Sequence, residues 1–342
     1  MIDLYSDTIT KPTPAMRQCM AEAEVGDEQQ GEDPTVNRLQ DMVAELLGKE
    51  AALYLPSGTM CNEISFAVWG HIGDEMILHG DSHPVHFETG GPAFLARIML
   101  YPLEGQRGMF TPEQVEEAIR PDSPHFPRSR ILELENTHNM GGGSIWPLPQ
   151  LQAVCAVAHQ HGLLTHLDGA RLLNAAVATR IPARTYAEPF DSVWIDLSKG
   201  LGCPVGAVLA GSRDFIKDAR RLKQLFGGAM RQAGIIAAAG VYALQHHVER
   251  LAEDHDNARQ LASALTAIPT VQLHPADVET NIVIFDVAAT GRPAPELGEE
   301  LEAAGVRVSV LGRTKLRAVT HLDVSRADMP RAIDVFRRVL HP

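Results

Sequence analysis

The chain has 342 residues, which corresponds to about two domains at roughly 150 residues each. Hydrophobic residues make up 45% of it and aromatic residues only 5%, a composition typical of layered helices and strands with aliphatic cores. The formal net charge is −13 and there is no run of Lys or Arg. This charge argues against binding to nucleic acid or to an anionic membrane surface.

The N-terminal residues, the longest weakly polar stretch and the cysteines bear on the cellular compartment. Residues 1–12 contain neither the basic stretch nor the apolar core of a signal peptide. The longest weakly polar stretch, residues 234–244, is shorter than the roughly 20 residues that cross a bilayer. The four cysteines show no CxxC spacing, and no HExxH pattern is present, so reduced thiols are expected and no metal site. We therefore expect a cytoplasmic protein.

Short apolar runs alternate with stretches of helical periodicity through the first 210 residues. Helices are predicted at residues 34–50, 59–69, 149–161 and 171–179, and strands at residues 51–55, 75–78, 131–134, 163–167, 192–197 and 207–210. This alternation predicts an α/β fold with a mostly parallel, doubly wound sheet. Ligands of such sheets bind beyond the carboxyl ends of the strands.

The pattern changes after about residue 250. A polar helix is predicted at residues 248–267, strands at 271–273, 281–286, 306–311 and 315–324, and a closing helix at 328–340. We expect a large domain over residues 1–247, which includes the N-terminal segment, and a smaller α+β domain over residues 248–342.

Lys199 lies at the carboxyl end of the apolar strand 192–197 and is followed by Gly200 and Gly202. A lysine at this position can reach a bound ligand, because its glycine neighbours leave space, although a solvated loop lysine would look the same. The GxGxxxG spacing in this stretch imitates a dinucleotide-binding fingerprint. It is one residue too long, and a strand rather than a helix follows it, so a nicotinamide site is not predicted.

Two other strand ends carry candidate ligand contacts. Asp168 follows the strand at residues 163–167, and a buried carboxylate there could keep a pyridine nitrogen protonated, as pyridoxal phosphate (PLP) requires. Capping of the next helix is the alternative role for this residue. Gly58 and Thr59 lie between a strand and a helix, where backbone amides could bind a phosphate group.

Four of the 15 histidines are further candidates: His83 and His86 lie within residues 81–91, and His125 and His138 flank the strand predicted at residues 131–134. A neutral histidine could stack on a cofactor or move a proton. A structural role is equally compatible with any one of them.

Taken together, nine segments resemble the PLP-dependent threonine aldolases of fold type I. They are residues 6–8 (SDT), 31–37 (GEDPTVN), 56–59 (PSGT), 88–91 (ETGG), 135–139 (ENTHN), 166–171 (HLDGAR), 197–202 (LSKGLG), 227–232 (GGAMRQ) and 317–323 (RAVTHLD). They cover nearly the whole chain in the family's order. The resemblance implies cleavage of a β-hydroxy-α-amino acid, such as threonine, allo-threonine or phenylserine, into glycine and an aldehyde.

The resemblance also implies how PLP is held. Lys199 would carry it as a Schiff base, and Asp168 would pair with the pyridinium nitrogen. Gly58 and Thr59 would bind the phosphate, and His83 would stack on the ring. Arg171 and Arg231 would add further cofactor contacts, the latter at the phosphate end and from a neighbouring subunit.

For the substrate, the resemblance implies that Ser6, Arg171 and Arg317 hold the carboxylate, which two guanidinium groups suit well. His125 would contact the β-hydroxyl group. Either His83 or His125 could serve as the catalytic base. The family also implies a homo-oligomer, a dimer or a homotetramer, with sites at subunit interfaces.

Two positions depart from the family's pattern. Tyr5 stands where an arginine is common, and Gln30 where a tyrosine is common. These departures leave open the substrate side chain. A β-eliminating lyase or dehydratase of the same fold, and a non-catalytic PLP-binding protein, remain alternatives.

Overall fold

The computed structural model describes residues 1–341 of the chain. The strands within this range are β1 (Ile2–Asp3), β2 (Ala51–Leu55), β3 (Glu75–His79), β4 (Met99–Leu103), β5 (Ser129–Glu135), β6 (Leu164–Gly169), β7 (Ser192–Asp196), β8 (Ala207–Gly211), β9 (Gln272–Leu273), β10 (Ile282–Asp286), β11 (Val306–Arg307), β12 (Ser309–Val310) and β13 (Lys315–Val319).

The α-helices in the same range are α1 (Pro14–Ala21), α2 (Pro34–Leu47), α3 (Gly58–Trp69), α4 (His83–His86), α5 (Pro112–Ala118), α6 (Leu148–Gln160), α7 (Leu172–Thr179), α8 (Ala183–Ala187), α9 (Arg213–Leu225), α10 (Gly234–His246), α11 (Leu251–Thr266), α12 (Ala294–Ala303) and α13 (Met329–Leu340). Among residues 1–341, no helix combines the length and apolar character that crossing a membrane would need.

The central sheet has the strand order β2-β8-β7-β6-β5-β3-β4. The neighbours from β7 through β4 pair in parallel, whereas β8 runs antiparallel to both β2 and β7. The predicted α/β class of fold type I, with its mostly parallel sheet, is therefore confirmed. All strands except β8 end at one edge of the sheet, and this edge collects the residues that follow them.

Local sequence signals explain why α2 begins and ends where it does. Asp33 caps the helix by accepting the backbone N–H groups of Thr35 and Val36, and Pro34 occupies the first turn, where its missing N–H is not needed. Gly48 ends it with a φ of 65°, a left-handed conformation that favours glycine. One face of the helix, which includes Leu39 and Val43, is buried against the large core.

A second sheet, of order β12-β13-β10-β9, is antiparallel and carries its own hydrophobic core. This agrees with the predicted α+β character of the C-terminal region, and the boundary at residue 247 stays a prediction. The N-terminal segment does not belong to the large domain alone. β1 pairs in parallel with β11, and Ile2 and Leu4 lie in the smaller core.

Candidate active site

A cavity of about 280 Å³ opens at the carboxyl edge of the central sheet. Its walls come from the segments that follow β2, β3, β5, β6 and β7. Six of the predicted site residues line it: Gly58, Thr59, His83, Asp168, Arg171 and Lys199. Asp168 lies at the end of β6 and the other five follow strands that end at this edge, so the sheet brings all six together.

Lys199 lies in the turn after β7, and its side chain is 14% exposed. Its Nζ atom lies 3.3 Å from Oδ2 of Asp196 and 5.7 Å from the ring centroid of Trp194. Thr10 holds the backbone of this turn by donating its hydroxyl to the carbonyl of Lys199 at 2.8 Å. The amine is therefore fixed at the cavity wall with a carboxylate as its partner.

Asp168 is buried at the end of β6. Its Oδ1 accepts the backbone N–H of Ala170 at 3.0 Å, and its Oδ2 accepts the side-chain amide of Asn62 at 2.9 Å. Burial, with the nearby carboxylate of Glu135, raises the pKa of Asp168 above its ordinary value. A cation bound in the cavity would lower that pKa again, so the carboxylate suits a protonated ring nitrogen. Asp168 does not cap α7, because the N-cap position of that helix is Arg171.

The first turn of α3 supplies the candidate phosphate cradle. The Ser57 side chain caps this helix by accepting the N–H of Met60 at 3.2 Å. The backbone N–H groups of Gly58 and Thr59, which come before Met60, have no partner within the helix. The helix dipole favours an anion at this end of α3. A Cβ atom on Gly58 would lie 2.2 Å from the ring of Trp194, so only glycine fits this position.

His83 begins α4 and is oriented by two glutamates. Its Nδ1 lies 2.8 Å from Oε1 of Glu88, and its backbone N–H donates to Oε2 of Glu135 at 3.0 Å. Burial acts to lower the pKa of His83, but its hydrogen bond to the carboxylate of Glu88 and the charges of Asp168, Glu88 and Glu135 outweigh burial and raise the pKa. The free Nε2 atom is the one that could act on a ligand.

The two arginines predicted to bind a carboxylate differ in their partners. Arg171 donates two hydrogen bonds to the buried Asp7, at 2.7 and 2.6 Å. Among residues 1–341, Arg317 donates hydrogen bonds to neutral groups, Asn139 Oδ1 at 2.8 Å and Ser309 Oγ at 3.4 Å. Burial and the charge of Arg171 lower the pKa of Arg317.

The remaining buried donor of Arg317, Nε, has no hydrogen-bond partner within the described residues 1–341. Since Asn139 lines the cavity, this guanidinium group lies at its border. An anion that entered the cavity would find in Arg317 a cation that makes no hydrogen bond to a carboxylate of residues 1–341.

Ser6 lies behind the cavity wall rather than on it. It is buried, and its hydroxyl oxygen accepts both the backbone N–H and the hydroxyl of Thr8, at 3.2 and 2.9 Å. Thr8 itself lines the cavity, so Ser6 would contact a ligand only from a position next to Thr8.

His125 and Arg231 do not lie at this cavity. His125 is exposed, in the loop before β5, at the amino end of that strand. Glu135, at the carboxyl end, lines the cavity. The seven residues of β5 span roughly 20 Å at about 3.3 Å per residue, so His125 cannot reach the site of its own chain. Arg231 is also exposed, and it pairs with Asp27 at 2.7 Å.

The sequence did not point to several residues that complete the site. Asn62 lies inside α3, Trp194 inside β7, and neither helical nor strand periodicity marks them as contacts of Asp168 or Gly58. Asp196 carried a signal that could have been used. It precedes Lys199 by three residues, a spacing that brings two side chains of a turn together.

The family comparisons agree with this geometry. The model of the β-eliminating lyase family matches residues 3–288. A low-specificity L-threonine aldolase of Escherichia coli (strain K12) is 42% identical over 344 aligned residues, which cover 99% of each chain. Low-specificity L-threonine aldolase 1 of Arabidopsis thaliana is 37% identical and covers 99% of this chain and 96% of its own.

Two solved structures share the fold at lower identity. The threonine aldolase of Leishmania major superposes with a TM-score of 0.85 at 20% identity, over 99% of this chain and all of that chain. A serine palmitoyltransferase of Sphingomonas wittichii gives a TM-score of 0.76 at 19% identity, over 99% of this chain and 86% of that chain. With the sequence matches, these findings show that the chain belongs to the PLP-dependent threonine aldolase family.

Proposed function

We propose that this protein is an aldehyde-lyase that cleaves the Cα–Cβ bond of a β-hydroxy-α-amino acid of the threonine type, giving glycine and an aldehyde. The observation that carries the proposal is that Lys199 and Asp168 line one cavity and that Arg317, whose hydrogen-bond partners among residues 1–341 are neutral, lies at its border. The amine, the carboxylate and the cation match the three groups that PLP and an amino acid present.

The residues fit PLP at both of its ends. Lys199 would hold its aldehyde carbon covalently, Asp168 would face the ring nitrogen, and the amides of Gly58 and Thr59 would bind the phosphate. When bound, PLP supplies an electron sink for the pair of electrons that the broken bond leaves on Cα. The raised pKa of Asp168 fits this assignment, because a cationic ring nitrogen would compensate the buried charge.

The protein's own groups orient the amino acid and move its protons. Arg317 would bind the α-carboxylate through its planar fork, while Arg171, already paired with Asp7, would shape the wall of that pocket. Neutral His83 would accept the β-hydroxyl proton through Nε2, with Glu88 on Nδ1 holding the ring in place. This transfer leaves the hydroxyl oxygen as the carbonyl oxygen of the departing aldehyde.

His125 would act at the site only if a second copy of the chain supplied it, and the same holds for Arg231. We therefore propose a homo-oligomer, a dimer or tetramer, whose cavities lie at subunit interfaces. A cytoplasmic location fits the cysteines, since Cys19, Cys61, Cys155 and Cys203 are all free thiols, as a reducing compartment favours.

Product analysis tests the reaction. The purified protein, loaded with PLP, is supplied with L-threonine, L-allo-threonine or phenylserine. Equal amounts of glycine and aldehyde are expected, and Lys199→Ala should abolish both. A 2-keto acid and ammonia would instead identify a β-eliminating lyase or dehydratase, and a protein that binds PLP without any turnover would be a non-catalytic one.

A further inference from the structure

Asn62 is a fully buried side chain of α3, and both polar atoms of its amide, Nδ2 and Oδ1, make hydrogen bonds. Its Nδ2 donates to Asp168 Oδ2 at 2.9 Å and to Glu88 Oε1 at 2.7 Å. Its Oδ1 accepts from Trp194 Nε1 at 2.6 Å and lies 3.0 Å from His166 Nε2. One amide thus joins the carboxylate that would face the ring nitrogen to the carboxylate that holds His83.

The orientation of this amide is fixed by its partners. An indole N–H can only donate, so the atom facing Trp194 must be the amide oxygen, and the NH₂ group must face the two carboxylates. His166 then donates through Nε2, which leaves its Nδ1 to accept from the hydroxyl of Ser192 at 2.8 Å. Burial lowers the pKa of His166 to about 3, so this ring stays neutral.

The chain of hydrogen bonds continues from Ser192 to Trp69, the last residue of α3. Trp69 Nε1 donates to Ser192 Oγ at 3.0 Å, so that the hydroxyl hydrogen of Ser192 is directed toward His166. The indole of Trp194 and the chain of His166, Ser192 and Trp69 therefore prevent the amide of Asn62 from rotating. A rigid neutral donor between two acidic groups is the result.

We propose that Asn62 is a positioning residue of the PLP site, which holds the carboxyl groups of Asp168 and Glu88 in place by giving one N–H to each. This inference rests on the proposed function, because Asp168 acts on the cofactor and Glu88 on His83. Without the amide, two carboxylates that now share one NH₂ group would face each other in a buried space. Their repulsion would favour protonation of one of them, and either protonation would disturb the site.

The charge balance around Asn62 includes titratable groups from each element packed on it: Asp168 and His166 on β6, Glu88 and His83 at α4 and its following turn, Glu63 and Cys61 on α3 itself, Glu133 and Glu135 on β5, and Lys199 after β7. Burial and the neighbouring Glu88 raise the pKa of Glu63, and burial raises that of Glu133.

Asn62→Asp tests this role, because the new carboxyl keeps the shape of the amide but donates only when it is protonated, and then to one partner. The measured quantity is the dissociation constant of PLP, from absorbance titrations of the apo-protein between pH 6 and pH 9. We expect binding about tenfold weaker than in the wild type at pH 9, since hydrogen bonds to charged groups are lost. The ratio to the wild type should fall as the pH decreases and the carboxyl takes up its proton.

Two further variants complete the design. Asn62→Ala has no group to protonate, so its PLP binding should be weaker than that of the wild type by a ratio that does not change with pH. Asn257→Asp makes the same chemical change at another buried asparagine, which donates to the carbonyl of Val324 in the smaller domain. It should bind PLP as the wild type does at every pH.

The possible results separate the inference from the function on which it rests. Suppose that the wild type binds PLP. If both Asn62 variants then have the wild-type dissociation constant, or if both bind PLP more weakly by the same pH-independent ratio, the positioning role alone is overturned. A wild type that does not bind PLP would overturn the proposed function as well. If Asn62→Asp is unfolded by circular dichroism, Asn62→Ala decides: weaker binding supports the role, and unchanged binding overturns it.

Discussion

Arg171 gives both arms of its guanidinium group to the carboxylate of Asp7, at 2.7 and 2.6 Å. Both side chains are buried, and Asn281 adds a further hydrogen bond to Asp7 at 3.1 Å. The pair joins the N-terminal segment to the segment after β6 and neutralises one of the two arginines near the cavity. The positive charge available to a substrate carboxylate is therefore that of Arg317.

Replacing Arg317 by alanine should weaken binding of the amino acid and leave PLP bound. The expected loss is about 2–5 kcal/mol, the range for truncating one partner of a buried charge pair. Arg317→Lys should also bind poorly, because an ammonium group cannot reproduce the fork. Steady-state kinetics and the absorbance of bound PLP measure the two effects. Arg313→Ala, an exposed arginine nearby, is the control, and near-wild-type kcat/KM in Arg317→Ala would contradict the assignment.

Asp7→Asn should lower the stability of the apo-protein at pH 7 by about 3–5 kcal/mol, since it leaves a buried guanidinium group without its counter-charge. Although burial acts to raise it, the pKa of Asp7 lies well below its ordinary value of 3.8 because of Arg171. A depressed carboxyl pKa stabilises the folded state above the unfolded pKa, and this contribution is lost as the pH falls through the folded one.

The difference between wild type and Asp7→Asn should therefore be constant above about pH 4 and shrink in more acidic solution. Urea denaturation curves from pH 3 to pH 7 measure it. Asp122→Asn, at an exposed position, should change stability by less than about 0.5 kcal/mol. A difference that grows as the pH falls would contradict the sign of the Asp7 shift.

Glu88→Gln should shift the acidic limb of the pH profile of kcat/KM to lower pH. The limb reports the pH above which His83 is neutral, and removal of the Glu88 charge takes away a hydrogen bond and a charge that raise the pKa of His83. The profile is measured on the PLP-loaded enzyme with L-threonine. Glu104→Gln, an exposed glutamate, should leave the limb in place. An unshifted limb in Glu88→Gln would mean that His83 is not the base.

His125 allows a test of sites shared between subunits. His125→Ala and Lys199→Ala should each be inactive or nearly so, because each removes one part of every site. Oligomers mixed from the two variants should recover about a quarter of wild-type activity, if dimers form at random and each mixed dimer has one complete site. Absence of recovery, with mixing verified by mass spectrometry, would show that His125 acts in no partner's site.

The sequence predicted the architecture and the residues at strand ends, for a physical reason. Parallel strands end at one edge, so Gly58, His83, Asp168 and Lys199 had to come close once their strands were recognised. Strand β4 was not predicted, because Pro102 interrupts its pattern, and it lies at the edge of the sheet, where proline is tolerated. The predicted strand 306–311 is in fact two short strands, β11 and β12, which pair in different sheets.

Contacts between distant parts of the chain could not be predicted. Asp7 and Arg171 are 164 residues apart, and the sequence gives no sign that the first neutralises the second. The same holds for Asn62, whose four partners lie on three other elements. Buried polar side chains of this kind follow no periodic pattern, and only the folded structure shows which donor satisfies which acceptor.

Borohydride reduction of the PLP-loaded protein, followed by peptide mapping, tests most directly whether this cavity is the catalytic site. The account predicts that the cofactor becomes permanently attached to the peptide that contains Lys199, and that activity disappears in proportion. Lys49 and Lys223, both partly or fully buried elsewhere, should remain unmodified. Attachment to any lysine other than Lys199, or no attachment in a protein that still cleaves threonine, would contradict it.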